Sequence, residues 1–247
     1  GIWSFSWGFN IPGGQEETTS NGTTRYNDYR FDLSFRLFSV DLHYSQYQGF
    51  YLGNTQDNDP NNVYGLQKLL RPDLYSRSMG VSFTWVWSPE TFSLPNLVNQ
   101  RERQESWGGS LLFGGSFNET RFHAGTPVVP SGVGGDFLGV ENLEGGKLQS
   151  LNAKVGYGYS MAKKWFAGGA LMVGFGLAKQ RFHWTGGGNS RGVGSNYRTE
   201  LLLSGGYNGD LFFTVFNLKV NQEANTLDID RGDYDISTLQ STAGITF

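Results

Sequence analysis

The sequence predicts an all-β fold, a transmembrane antiparallel up-and-down β-barrel. Three observations lead there. Tyr29, Phe31, Leu33 and Phe35 alternate with Arg30, Asp32, Ser34 and Arg36, which gives a strand one apolar and one polar face. The 247 residues include 36 Gly and 15% aromatics, yet mean hydropathy is −0.39. A helical span needs about 20 apolar residues, and the best stretch, Trp165 to Ala178, is shorter and broken by Gly. A barrel with an apolar outside and polar inside fits that polar average. Finally, the last residues put Leu239, Ala243, Ile245 and Phe247 on one face and Thr238, Gln240, Thr242, Gly244 and Thr246 on the other.

Ten strands follow from alternation and the segments between. The first, Ile2 to Phe9, sets Trp3, Phe5, Trp7 and Phe9 against Ser4, Ser6 and Gly8. A Gly/Thr/Ser-rich loop to about Arg25 precedes the second, Tyr29 to Arg36. After a tight turn near Leu37 and Phe38, the third runs from Ser39 to Leu52, with Val40, Leu42 and Tyr44 opposite Asp41, His43 and Ser45. A polar loop from Asn54 to Pro72 leads to the fourth, where Tyr75, Met79, Val81, Phe83, Trp85 and Trp87 share a face. Phe92 to Glu105 contains Pro95 and the charged run R-E-R-Q-E, and is not expected to span; for its Asn99 to Glu105 part a solvated extended turn is favoured over a cap on the barrel base or a docking segment. The fifth is Ser106 to Asn118, followed by a long loop from Glu119 to Gly146. The sixth, Leu148 to Ser160, and the seventh, Trp165 to Phe182, meet at an M-A-K-K turn. The seventh has a small inward face of Gly168, Ala170, Gly174, Gly176 and Ala178. Gly186 to Gly194 is expected as a loop. The eighth strand, Tyr197 to Tyr207, joins the ninth, Leu211 to Gln222, through an Asn208-Gly209 hairpin signal. An acidic loop leads into the tenth, Ser237 to Phe247.

Ten strands return both termini and the short turns to one side and put the long loops on the other, as in bacterial outer-membrane barrels. Eight or twelve strands remain open, and a soluble β-sandwich or lipocalin-like barrel, with the aromatic face as its core, is the competing fold. Residues 1–247 read as a single domain. There are no cysteines, which excludes thiolate metal sites and Cys nucleophiles. A net charge of −3 without a basic stripe argues against a nucleic-acid partner. No signal peptide is visible, and strand-like sequence from Ile2 places Gly1 after a cleavage or an engineered start.

If the aromatic parity faces lipid, the other lines the lumen with Arg30, Asp32, Arg36, Asp41, His43, Lys154, Arg198, Glu200 and Lys219. Charges in a confined interior must pair. They form either a salt-bridged polar plug or the lining of a narrow pore. His123 and His183 mark a candidate rim site, which Asp136, Ser131 or Ser190 could join, but no nucleophile motif accompanies them. Acidic loop residues (Asp57, Asp59, Asp228, Asp230, Asp233, Asp235) lack calcium-loop spacing. Arg231-Gly232-Asp233 is an adhesion-type tripeptide without adhesin context, and the glycine clusters lack a phosphate-loop setting. No metal and no cofactor is expected.

Two resemblances add to this. A terminal Phe247 with Ile245 on a closing amphipathic strand resembles the ending that the outer-membrane assembly machinery reads. Y-Q-G-F-Y-L-G-N at 47–54, R-P-D-L at 71–74, N-Q-R-E-R-Q-E-S-W-G-G-S-L-L-F-G-G-S-F at 99–117 and Lys164-Trp165-Phe166 resemble an uncharacterised family of Gram-negative envelope proteins known only as a domain of unknown function. The resemblance implies an outer-membrane barrel and carries no catalytic residues. The expected function is therefore non-enzymatic: a narrow pore, small-solute transporter or envelope-complex subunit in the outer membrane, with periplasmic termini. The alternatives are a surface ligand binder or adhesin acting through its long loops and, less favoured, a hydrolase with rim histidines. Expected partners are the lipid bilayer, the assembly machinery and a periplasmic partner at Asn99 to Glu105.

Overall fold

Alternating sequence becomes alternating exposure: Leu151 and Leu177 are 66% and 65% exposed, while their chain neighbours Asn152 and Ala178 are buried. The computed structural model describes residues 2–9, 24–52, 69–99, 107–128, 142–161, 165–208, 213–229 and 232–246. They form one antiparallel sheet of ten strands in chain order. The strands are β1 (Ile2–Phe9), β2 (Arg25–Ser34), β3 (Phe38–Leu52), β4 (Leu69–Val86), β5 (Gly108–His123), β6 (Leu143–Met161), β7 (Trp165–Trp184), β8 (Asn189–Asn208), β9 (Phe213–Ile229) and β10 (Gly232–Thr246). One short helix, α1 (Leu94–Asn99), lies between β4 and β5.

The sheet rolls on itself into a barrel-like curl. Six ladders separate β3 from β9, which would put them ~29 Å apart in a flat sheet. Yet Lys219 Nζ on β9 lies 3.3 Å from Asp41 Oδ1 on β3. Asn118 on β5 likewise reaches Glu223 on β9. Ladders run from β1·β2 to β9·β10, and no ladder joins β10 to β1 among the described residues. Ile245 pairs with Phe216 within β9·β10. Phe247 lies outside the described residues, as do Asp57, Asp59, Ser131, Asp136, Asp230, Arg231 and the 100–105 part of the expected partner segment.

Several expectations need correction. Strands reach further toward the long-loop end than apolar alternation signalled: β4 starts at Leu69, β8 at Asn189, and β9 continues to Ile229. Backbone pairing persists there while the outward side chains turn polar, so the ladder outlasts its sequence signal. The expected 186–194 loop shrinks to a turn at 185–188. Gly186 and Gly187 adopt φ of 85° and 87° in that turn, the left-handed region that glycine enters without a Cβ penalty. Arg36 is not on a lumen strand, because β2 ends at Ser34 and Arg36 sits exposed in the following turn.

The non-spanning segment from Phe92 carries burial that its sequence did not announce. Phe92 and Leu97 are each 1% exposed and pack with Val86, Leu112, Ala170 and Met172, whereas the solvated turn expected from Asn99 to Glu105 lies, past Asn99, outside the described residues. Ser88 N donates to Ser110 Oγ, and Thr91 Oγ1 donates to Gly109 O, tying the turn to β5. Ser204 Oγ on β8 donates to the Leu97 carbonyl. The segment thus folds into the short-turn end of the curl and fills it.

Candidate lumen site

Five strands, β4, β5, β6, β8 and β9, converge on one buried network through their inward faces. Lys154 on β6 occupies a row with Gly114 on β5, Gly174 on β7 and Arg198 on β8. The glycines leave space for the two long cations: a Cβ on Gly174 would stand 3.1 Å from Lys154 Cγ and 3.4 Å from Arg198 Cβ. Lys154 Nζ donates to both Glu200 oxygens (3.0 and 2.9 Å) and to Ser82 Oγ on β4 (2.6 Å). Arg198 Nε donates to Glu200 Oε1 at 2.6 Å, and its Nη1 donates to Glu223 Oε2 at 3.2 Å. Glu223 also accepts from Ser150 Oγ, Asn196 Nδ2 and Asn118 Nδ2. Two carboxylates thus face two cations, and polar donors fill the remaining lone pairs, which is what burying charge requires. The Lys154 side chain is 1% exposed.

The β2–β3 side is more open. Arg30 Nη2 lies 3.2 Å from Asp28 on its own strand, and Arg30 is the register partner of His43. Asp32 is the register partner of Asp41, which accepts from Lys219. His43 leans over Gly80, where a Cβ would meet His43 Cε1 at 2.4 Å and Asn118 Oδ1 at 2.2 Å. The structure therefore joins Lys154, Arg198 and Glu200 in one cluster and places Asp41 with Lys219 as a separate pair across the curl.

The polar layer lies between two apolar ones. Toward the short turns, Glu200 is in register with Met172, then Gly156 and Leu112, above the Phe92/Leu97 fill. A Cβ on Gly158 would come 2.2 Å from Phe92 Cζ, and one on Gly168 2.4 Å from Leu97 Cδ2. These two glycines are the seat of the fill. Toward the long loops, Leu143 and Phe182 pack with Phe122, Leu148 and Trp184.

The rim histidines fall in one row, His123 and His183 flanking Gly145. They project on the outward parity, and His183 Nδ1 bonds Asn189 Oδ1. Ser190 pairs with buried Phe182 and so lies on the opposite face from His183. His183 and Ser190 therefore do not form a nucleophile–base pair. No metal-holding group of three His, Cys, Asp or Glu occurs among the described residues.

Sequence reasoning missed Glu223, Asn118, Asn196 and Ser150. Glu223 lies one residue past the expected end of its strand but on the parity of Lys219, so that parity was its signal. It also missed the role of the R-P-D-L segment. Arg71, 7% exposed, donates to both Asp73 oxygens at 2.9 Å and to the carbonyls of Thr126, Pro127 and Val128. Asp73 accepts from the Gly125 and Thr126 amides. This clamp folds the 124–128 segment onto the end of β4. The hydrogen bonds from Arg71 hold the Asp73 carboxyl well below the ordinary carboxylate range.

Compared with the curated proteins, the chain matches none. The sequence model of a domain family of unknown function, DUF4421, matches residues 3–246. That match spans nearly the whole rolled sheet, lumen cluster and basal fill included, and the chain belongs to the DUF4421 family of uncharacterised function.

Proposed function

We propose that this protein is a non-enzymatic outer-membrane barrel that does not conduct, acting as a subunit of an envelope complex rather than as a pore. One observation carries the choice: the Phe92/Leu97 fill lies directly beneath the Lys154–Glu200–Arg198–Glu223 network. An ion would have to break a buried salt-bridge cluster and then pass an apolar stopper.

The membrane assignment is supported by the outward face. On β6 it runs from Leu151 to Met161 through Val155, Tyr157 and Tyr159, all exposed. Ten residues at ~3.3 Å, tilted by about 40°, rise ~25 Å, the height of the apolar band of a barrel in lipid. Aromatics gather at the short-turn end, where Trp87, Trp107 and Trp165 are 60%, 59% and 74% exposed. That is the pattern of an interfacial girdle. In this reading the short turns, the termini and α1 face the periplasm, and the partner segment at Asn99 to Glu105 continues from the stopper.

Planar-bilayer recording tests the proposal. The wild-type protein, shown to be inserted by protease protection, should give no steps. Steady ohmic steps from the inserted wild type would overturn the non-conducting reading.

A further inference from the structure

The outward face changes character toward the long loops. Leu42, Val81, Phe117, Leu151 and Leu177 are neighbours in register on β3 to β7. Four residues nearer the long loops, on the same face, Arg77, Arg121, Lys147, Arg181 and Arg191 are successive register partners on β4 to β8. Like charges directly opposite each other destabilise a sheet, so five in a row call for more anions than the single carboxylate, Glu119, that the described residues supply. Glu119 sits just below the row and is already engaged by Arg121 Nε at 2.6 Å and Lys147 Nζ at 2.9 Å. Arg77, Arg181 and Arg191 have no carboxylate partner among the described residues.

We infer that this row binds the phosphates of anionic lipid in the leaflet at the long-loop side. Two features single out a lipid. The row lies beyond the apolar band by one mixed row, Met79, Glu119, Gln149, Lys179 and Val193, so an amphiphile can lay its acyl chains on Leu151 and Leu177 while its phosphate reaches up to Arg121 and Arg181. The five cations span ~19 Å at the strand spacing, room for neighbouring headgroups, and guanidinium forks suit phosphate oxygens.

This inference rests on the membrane reading above, and the experiment separates the two. Protein reconstituted in equimolar phosphatidylglycerol/phosphatidylcholine vesicles is extracted with mild detergent, and its retained lipid is counted. Phosphatidylglycerol should be retained in excess. That excess should fall roughly fivefold for each cation removed through R77Q, R181Q and R191Q, and collapse near ~1 M salt, where screening reaches ~3 Å. R77K/R181K/R191K, which keeps the charges, should retain it. Equal recovery of both lipids from normally inserted protein overturns the lipid site alone. Loss of the excess on adding equimolar inorganic phosphate means that the row takes free phosphate, and also overturns it. Failure to insert into phosphatidylcholine vesicles overturns the membrane reading and this inference with it.

Discussion

Glu200 holds two cations at once, and that makes the members of the lumen cluster unequal. Replacing Lys154 leaves Glu200 with Arg198 Nε at 2.6 Å. Replacing Glu200 by Gln leaves an ammonium group, on a side chain 1% exposed, with only neutral acceptors, Ser82 Oγ and the new amide oxygen, and no carboxylate. Removing one member of a buried pair costs about 3–5 kcal/mol when the other is stranded, whereas losing a hydrogen bond to a charged group costs about 1.5–3 kcal/mol. Glu200→Gln should therefore destabilise more than Lys154→Met in reversible urea unfolding, and the double substitution should recover part of the loss. Equal costs, or the reverse order, would show that Lys154 is not isolated in the way its burial implies. At this scale parity carried much of the information. Alternation put Lys154, Arg198 and Glu200 on one face, and curvature then brought them together with Glu223. Which cation meets which carboxylate was not legible, because it depends on glycines such as Gly174 leaving room for two long side chains in one row.

The strands of this chain announce themselves and α1 does not. Period-two alternation is set by local geometry and so survives in the sequence, as in β2 and β7. The run from Phe92 to Asn99 carries Pro95 and is too short for its four apolar residues to set a period, and its burial comes from surfaces distant in the chain: Gly158 on β6 and Gly168 on β7. Nothing local marks a six-residue helix as a stopper. The seat predicts its own disruption. A Cβ at Gly158 or Gly168 overlaps Phe92 or Leu97, and overpacking of this kind costs about 1–3 kcal/mol. Gly158→Val and Gly168→Val should dislodge the segment while leaving the β5–β6–β7 ladders intact. The expected signature is faster proteolysis confined to 88–99, together with channel flicker absent from the wild type. If both valine variants stay as resistant and as silent as the wild type, the segment does not depend on that seat.

Across the molecule, the outward face of the sheet changes from apolar to charged toward the long loops, and the proposed membrane placement makes that change the edge of the lipid. Val173 and Leu171 lie mid-band, flanked by Val155 and Tyr157 on β6 and by Thr199 and Leu201 on β8. Lys147 and Arg181 lie where the band ends. A soluble sandwich or lipocalin-like barrel would bury the aromatic parity as core, whereas here that parity is the exposed one and Lys154, Arg198 and Glu200 are inside. An arginine placed on a lipid face costs about 2–4 kcal/mol at the midplane and about 0–1 kcal/mol near the interface. Val173→Arg should therefore lower folding stability in phosphatidylcholine vesicles by about 2–4 kcal/mol, while Lys147→Arg should change it little. In detergent micelles, which deform around a charge, the difference should shrink. A Val173→Arg protein that folds in vesicles as stably as the wild type would mean that this face does not meet hydrocarbon, and the barrel would then need a protein partner to cover it.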